Sequence, residues 1–295
     1  ANTLEAHTQG VGVGGVNVAV NHATIEDGEK DKNGNIVKGN ATAKITGTNG
    51  KFSANSFHLG ATNDTTAKLS AGNVAVSVLG VSRMRGKGVM AMGADVNVAG
   101  GTFNAKTVEF VSLLGNADRE RRTLEGNVKG HNISAVAVAP DAVILNTDAT
   151  GKVNVANSTF GENTTLILSN TSFVDRKAYI YDVTAGAVAV GNTSADIVGN
   201  ETLTTSLTGK DGTTHKLNSL QVAAYGENTG KALADAGGGG LVGYVGAHVD
   251  NKSTNNVTST LSGKWDLSGE AYLVAAQKDE IRLTAKEGHG GVIGV

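Results

Sequence analysis

The stretch AGNVAVSVLG (residues 71–80) alternates valines with small residues. Val74, Val76 and Val78 take one set of alternate positions, and asparagine, alanine and serine take the other. A two-residue period is typical of a β-strand with one buried face, because successive side chains point to opposite sides of the strand. β-Branched residues also favour strands. We therefore predict a strand here, with the valines facing the core and the alanine facing outward.

Phrases of the same kind return roughly every 55 residues, a spacing typical of repeat proteins. Helical repeats need a 3.6-residue period, which only residues 118–125 and 230–236 approach. We predict an all-β chain forming one parallel β-helix (β-solenoid) over residues 1–295. With two coils of about 20–28 residues in each repeat, its length would be about 50–70 Å. The valine phrases are residues 16–20, 74–78, 135–138, 187–190, 242–247 and 292–295, and aromatic anchors between them contain Phe52, Phe103, Phe160 and Tyr272.

The alternation makes a specific prediction about packing. One face of the repeated strands should form a buried valine ladder, in which equivalent residues stack from coil to coil. The other face should form an outward strip of alanines. The strip is covered by a connecting loop, allows close packing of sheets through its small side chains, or serves as a lateral contact with a neighbouring molecule. The ladder is predicted to contain Val18, Val76, Val138 and Val190, and the strip Ala19, Ala75, Ala137 and Ala189.

Composition narrows the function classes. The chain has 41 glycines, one proline, no cysteine and 18% charged residues, so disulfides and thiolate sites are excluded. Its net charge of −2 gives no electrostatic reason to expect a nucleic-acid partner. No apolar run approaches the roughly 18 residues of a membrane-spanning helix. The 39% of hydrophobic residues alternate in register, which is typical of a chain that buries a core.

Two longer units carry a family resemblance. Residues 63–78 (NDTTAKLSAGNVAVSV) and 186–197 (GAVAVGNTSADI) resemble the passenger regions of filamentous-haemagglutinin-like and leukotoxin-like adhesins of Gram-negative bacteria. Those proteins are exported as autotransporters or by two-partner secretion. The resemblance implies a right-handed parallel β-helix at the cell surface or outside the cell, without catalytic residues or a cofactor. Residues 188–191 also resemble the short repeat of trimeric autotransporter heads, but that period is not sustained.

From this we expect an adhesive segment of a surface fibre, with a host-cell glycan or protein receptor, or copies of itself, as partner. The alternative is a self-assembling surface-layer or filament protein. A third possibility is a β-helix enzyme that degrades polysaccharides, which needs two placed carboxyl groups. The acidic residues of the predicted strands instead occur singly in the sequence, at Asp95, Asp141, Asp148, Asp182 and Asp196.

Two basic groups are candidate contacts with a ligand or partner. The first alternates along a strand, so its cations should point outward together. The second belongs to a charged insertion at residues 116–126 and should lie on a protruding loop or short helix. A solvated, salt-bridged face is the simpler interpretation of both groups. The first group is Arg83, Arg85 and Lys87, and the second is Arg119, Arg121 and Arg122.

Metal binding is not favoured. The seven histidines are dispersed, and zinc needs clustered ligands. Residues 29–36 imitate a calcium loop, but the twelfth position is Asn40, where a bidentate glutamate is required. Asn33-Gly34 is a strong signal for a type I′ turn, so we predict a hairpin.

The two ends of the sequence lack polar caps. Residues 290–295 form an apolar strand phrase, and residues 10–13 begin the repeats after a short polar lead. Stacked repeats normally need a polar terminal cap. We therefore expect that the chain is a fragment of a longer protein, or that another copy seals its ends.

Overall fold

The described part of the chain is all-β. A computed structural model describes residues 2–30, 32, 36–37, 39–47, 50–115 and 122–294. No helix occurs among these residues, and so they contain no helix that could span a membrane. Residues 230–236 lie in a strand, which corrects their helical interpretation. The strands are β1 (Asn2–Asp27), β2 (Glu29–Lys30), β3 (Ile36–Val37), β4 (Gly39–Thr46), β5 (Lys51–Ser53), β6 (Ser56–Asn63), β7 (Thr65–Ala99), β8 (Thr102–Asn104), β9 (Thr107–Leu114), β10 (Arg122–Phe160), β11 (Thr164–Ala185), β12 (Val188–Gly209), β13 (Thr214–Ser262), β14 (Lys264–Leu267) and β15 (Ala271–Gly294).

Almost all of these strands join one parallel sheet. It contains 13 strands, and only β2 and β3 form a separate antiparallel pair. Paired residues of neighbouring strands in this sheet are 50 to 63 residues apart in sequence, as in Thr214 with Lys264 and Asn2 with Thr65. One repeat therefore forms one complete layer of the stack, which we call a pass. The prediction of two coils per repeat was wrong. At about 4.8 Å for each pass, the stack is about 25 Å deep, not 50–70 Å. Equivalent starting positions of successive passes are Asn2, Thr65, Arg122, Val174, Asn228 and Asp279.

The body of the molecule has two hydrophobic clusters, one of which is organised by an aromatic ladder. Phe52, Phe103 and Phe160 stack at ring-centroid distances of 5.0 and 5.8 Å, as expected for equivalent anchors. His215 and Trp265 continue the ladder. Tyr272, expected as the next anchor, is instead 51% exposed.

The second cluster is aliphatic. Leu124, Leu145, Ile180 and Ile197 are fully buried in it, and the methionines Met84, Met90 and Met92 fill the space between them. Burying each such side chain contributes about 1.5–3 kcal/mol. These two clusters, which we call the body, anchor the projecting part of the stack described next.

A candidate interaction surface

A thin projection extends from the body, and we call it the fin. In each pass the chain runs outward along one wall, turns, and returns along a second wall. The walls contact each other directly: Asn73 Nδ2 donates to Ser82 Oγ at 2.8 Å, and Asn132 Nδ2 donates to the carbonyl of Gly80 at 3.1 Å. The fin consists of the stacked segments 10–20, 73–83, 130–140, 182–192 and 236–246.

The space between the walls admits only small side chains. A Cβ atom added to Gly80 would lie 2.2 Å from Ser134 Oγ, and one added to Gly238 would lie 2.0 Å from a methyl group of Val245. Ala75 and Ala137 are fully buried between the walls. A row of inward valines would not fit this gap at normal packing distances.

Except for Val245, which is buried opposite Gly238, the valines of the fin face outward, which contradicts the predicted buried ladder. Val18 is 67% exposed, Val76 45% and Val190 39%, and Val138 is partly exposed. The register also differs from the expected one: Val18 stacks on Val81, Val138 and Val190, whereas Val76 pairs with Val13. The period of the strand was predicted correctly, but the assignment of its two faces was reversed.

The predicted alanine strip lies inside. Ala75, Ala137 and Ala189 have no exposed surface, and Ala19 is half-buried. They are therefore neither covered by a loop nor available for lateral contact. Their small side chains let the two walls approach each other, as the close-packing alternative predicts.

The outer faces of the fin form a large apolar surface. Contiguous exposed apolar patches of more than a few hundred Å² mark interaction sites in soluble proteins. The surface is built on both walls and on the turn between them. Its large exposed residues are Val11, Val13, Val16, Val18, Val20, Val74, Val76, Val78, Leu79, Ile133, Val136, Val183, Val188, Val190, Leu241, Val242 and Tyr244.

The first basic group lies on an outer face, at the base of the fin. Arg83 is exposed, and Arg85 and Lys87 are partly exposed, because the residues between them point inward. Lys87 Nζ forms an ion pair with Glu26 Oε1 at 3.4 Å. Arg83 and Arg85 line a depression with Pro140 and Asn192.

Only one member of the second basic group, Arg122, lies among the described residues. Arg119 and Arg121 lie outside the described residues, but Arg122 begins β10 and is completely buried. Its Nη2 donates to Asn63 Oδ1 at 3.4 Å. Burial lowers the pKa of Arg122 to about 10, opposed by the negative charges of Asp27 and Asp64. Arg122 therefore belongs to the interior and is withdrawn as a contact residue.

A second arginine is buried in the next pass. Arg176 stacks on Leu124 and is 1% exposed, and its Nη1 donates to Thr147 Oγ1 at 3.4 Å. Burial lowers its pKa, opposed mainly by the negative charge of Glu201. Gly199 makes room for it, since a Cβ there would lie 1.2 Å from Nη1. Sequence reasoning missed this layer because nothing local distinguishes Arg176 from a surface cation.

The structure also pairs two acidic residues that are single in sequence. Asp141 and Asp182 are both 2% exposed and face each other at the base of the fin. Asp182 stacks directly on Gly130, whose missing side chain leaves space for both carboxyl groups. Because the pairing joins two passes, no spacing rule along the sequence could reveal it.

A shallow trough crosses the outer face beside the fin. Tyr179 and Tyr181 stand on one side, His7 stands on the other, and the floor contains Asn127 and Lys129. Successive passes supply these residues, since His7 pairs with Ser70, Ser70 with Asn127 and Asn127 with Tyr179. Tyr181 keeps 38% of its surface exposed. The sequence contains only 4% aromatics, so this concentration was not expected.

The remaining candidate sites give no cluster of ligands. Glu29 and Lys30 pair antiparallel with Val37 and Ile36, as expected for the two arms of a hairpin, whereas Asn33-Gly34 of the predicted turn lies outside the described residues. Among the described residues, no three histidine, aspartate or glutamate side chains converge as a metal site. The side chains of residues 291–295 lie outside the described part, so the expectation about the apolar end stays a prediction.

Comparisons with known proteins add no assignment. No protein-family model, no curated protein and no solved structure matches the chain.

Proposed function

We propose that the chain is a structural segment of an extracellular bacterial surface fibre and that it associates with copies of itself through the fin. The proposed fold is a parallel β-solenoid with one repeat in each turn. It is taken as right-handed because parallel strands joined by crossovers almost always have that hand. The observation that carries the proposal is the outward valine surface, which a free monomer has no physical reason to maintain.

A second copy is the occupant that best fits this surface. Stacked strands repeat at about 4.8 Å, so the ridges of one valine ladder match the grooves of another ladder with the same spacing. Within the fin segments, the only outward residue with a fixed charge is Arg83, so two copies meet little electrostatic repulsion.

The dimensions of the fin are compatible with weak to moderate association. Each wall measures about 17 Å along the strands and about 20 Å across the stack. The walls face opposite ways, so one partner covers a single wall of about 340 Å², and a copy on each side is needed to approach the roughly 800 Å² that a standard interface takes from each partner. We therefore expect association that depends on protein concentration and increases with temperature over the range in which hydrophobic contacts strengthen.

Analytical ultracentrifugation over a wide concentration range tests this proposal. The fin variant Val16→Thr, Val18→Thr, Val74→Thr and Val76→Thr keeps β-branched side chains but adds hydroxyl groups to the surface. The matched control is Leu273→Thr with Val274→Thr, at exposed positions outside the fin. We expect the wild type and the control to associate and the fin variant to associate at least tenfold more weakly. A monomeric wild type, or equal association of all three proteins, would contradict the proposal.

Attachment to a saccharide is a second candidate, and the trough is the observation that favours it. Tyrosine rings offer apolar faces beside polar groups, and Asn127 and Lys129 offer donors next to them. Binding to an oligosaccharide panel should be lost in Tyr179→Ala with Tyr181→Ala. It should survive in Tyr272→Ala, which removes an exposed tyrosine elsewhere. No binding by the wild type, or equal loss in both variants, would eliminate this candidate.

A further inference from the structure

Asp141 and Asp182 occupy the interior where the fin joins the body. Asp141 Oδ1 accepts a hydrogen bond from the backbone N–H of Met84 at 2.7 Å, and Asp182 Oδ2 accepts one from Thr184 Oγ1 at 2.6 Å. The other two oxygens, Asp141 Oδ2 and Asp182 Oδ1, have no donor among the described residues. Both converge above Gly130, where the two carboxyl groups are within hydrogen-bond distance of each other.

Two ionised carboxylates in this position would repel each other. Neither offers a donor, so a hydrogen bond between them requires a proton on one of the four oxygens. Burying even one unpaired carboxylate is costly, and burying two side by side is costlier. A single shared proton removes one charge and supplies the missing donor.

No buried cation replaces that proton among the described residues around the pair. On β7, Met84 packs inward while Arg83 and Arg85 point to the outer face. The strands packed against the pair otherwise contribute neutral inner residues, namely Asn21 from β1, Gly130 from β10, Thr184 from β11, Thr193 from β12 and Ala236 from β13. The titratable groups that flank these inner positions, among them Lys129 and His131 on β10 and Glu287 on β15, are exposed.

We propose that Asp141 and Asp182 share a proton at neutral pH and form a proton-dependent latch that holds the base of the fin closed. The latch joins opposite walls and successive passes, since Asp141 ends one wall and Asp182 begins the opposite wall of the next pass. Loss of the proton puts two negative charges into this joint and loosens both connections. The inference is independent of what the fin contacts.

The direction of the pH effect follows from the proton balance. Burial raises the pKa of Asp141 to about 8, with a further contribution from the charge of Asp182, and burial raises the pKa of Asp182 to about 6. Both values lie above those of an unfolded aspartate, so the folded chain holds more protons and stability falls as pH rises. Between about pH 6 and pH 8 the folded pair holds one proton and the unfolded chain none. The unfolding equilibrium constant should then rise about tenfold for each pH unit and level off above pH 8.

Urea unfolding between pH 5 and pH 9.5 tests the latch with Asp141→Asn, Asp182→Asn and the exposed control Asp211→Asn. Asparagine keeps the shape and supplies an N–H donor to the remaining carboxylate. Since burial also raises the pKa of Glu201, which contributes to every profile, we expect a difference in slope: between pH 6 and pH 8 the wild type and Asp211→Asn should exceed Asp141→Asn and Asp182→Asn by about tenfold for each pH unit. A wild-type slope retained in both latch variants would overturn the proposal.

Two measurements on the wild type keep the test decisive if a variant does not fold. Infrared spectroscopy should detect the C=O stretch of a protonated, buried carboxyl group at pH 7, and that band should disappear above pH 9. Its absence at pH 7 would contradict the latch. Calcium chloride added at pH 9 should leave the stability unchanged. A large stabilisation would show that the pair holds a metal ion in place of a proton.

Discussion

The fin and the body use the same alternation with opposite faces inward. In the body, Val153 and Val155 are fully buried, whereas Lys152 and Asn154, on either side of Val153, point outward. In the fin, Ala75 is fully buried and Val76 points outward. The difference lies in the distance between facing walls, which is wide enough for phenylalanine in the body and too narrow for a row of valines in the fin, where the single inward Val245 faces Gly238. Alternation sets the period of a strand, and the gap that the strand faces decides which half is buried.

Replacing a valine by aspartate in each region should give the largest contrast. Val153→Asp places an unpaired charge in the body core and should destabilise the protein by about 3–5 kcal/mol. Val76→Asp places the same charge in solvent and should cost less than about 1 kcal/mol. Chemical denaturation of both variants measures the difference. Equal losses would mean that Val76 is buried after all.

The buried Arg176 of the body should be displaced by the addition of a single methyl group at the neighbouring Gly199. Gly199→Ala would put a methyl group where Arg176 Nη1 lies, so the guanidinium must leave its position beside Thr147. We expect a loss of about 2–3 kcal/mol. Gly288→Ala, at a position with open space around it, should change stability by less than about 0.5 kcal/mol. Thermal unfolding of the pair decides whether the interior is packed as described, and a neutral Gly199→Ala would speak against it.

Enlarging an alanine should destabilise the protein when the residue lies between the walls of the fin, but not when it lies on the exposed turn. Ala137→Leu overfills the gap between the walls and should cost about 1–3 kcal/mol. Ala135→Leu, on the exposed turn between the walls, should be nearly neutral. If urea unfolding shows Ala137→Leu to be tolerated as well as Ala135→Leu, the walls are farther apart than the structure indicates.

Much of the fold could be predicted from the sequence, because strand period and repeat spacing are local properties. The phenylalanine anchors stack as expected, β2 and β3 pair antiparallel, and Arg83, Arg85 and Lys87 share an outer face. The size of one pass could not be predicted, since it depends on which strands pair and not on what each strand contains.

The sequence indicated which segments form the candidate surface, but not which face of each strand is exposed. Inner positions of the fin are rich in glycine and asparagine, for example Gly12, Asn73, Gly80 and Asn132, and this was the available signal that the gap is narrow. The pairing of Asp141 with Asp182 and the burial of Arg122 depend on contacts between passes. Such contacts become visible only when the register of the stack is known.

Cysteine accessibility tests the central claim most directly, since the chain contains no cysteine of its own. Ala75→Cys and Val76→Cys place one thiol at adjacent positions of the same strand, and a maleimide reagent reports how quickly each reacts in the folded protein. The account predicts rapid labelling of Val76→Cys and strong protection of Ala75→Cys, with equal rates after unfolding in urea. Rapid labelling at position 75 with protection at position 76 would contradict it, because the valines would then face the core.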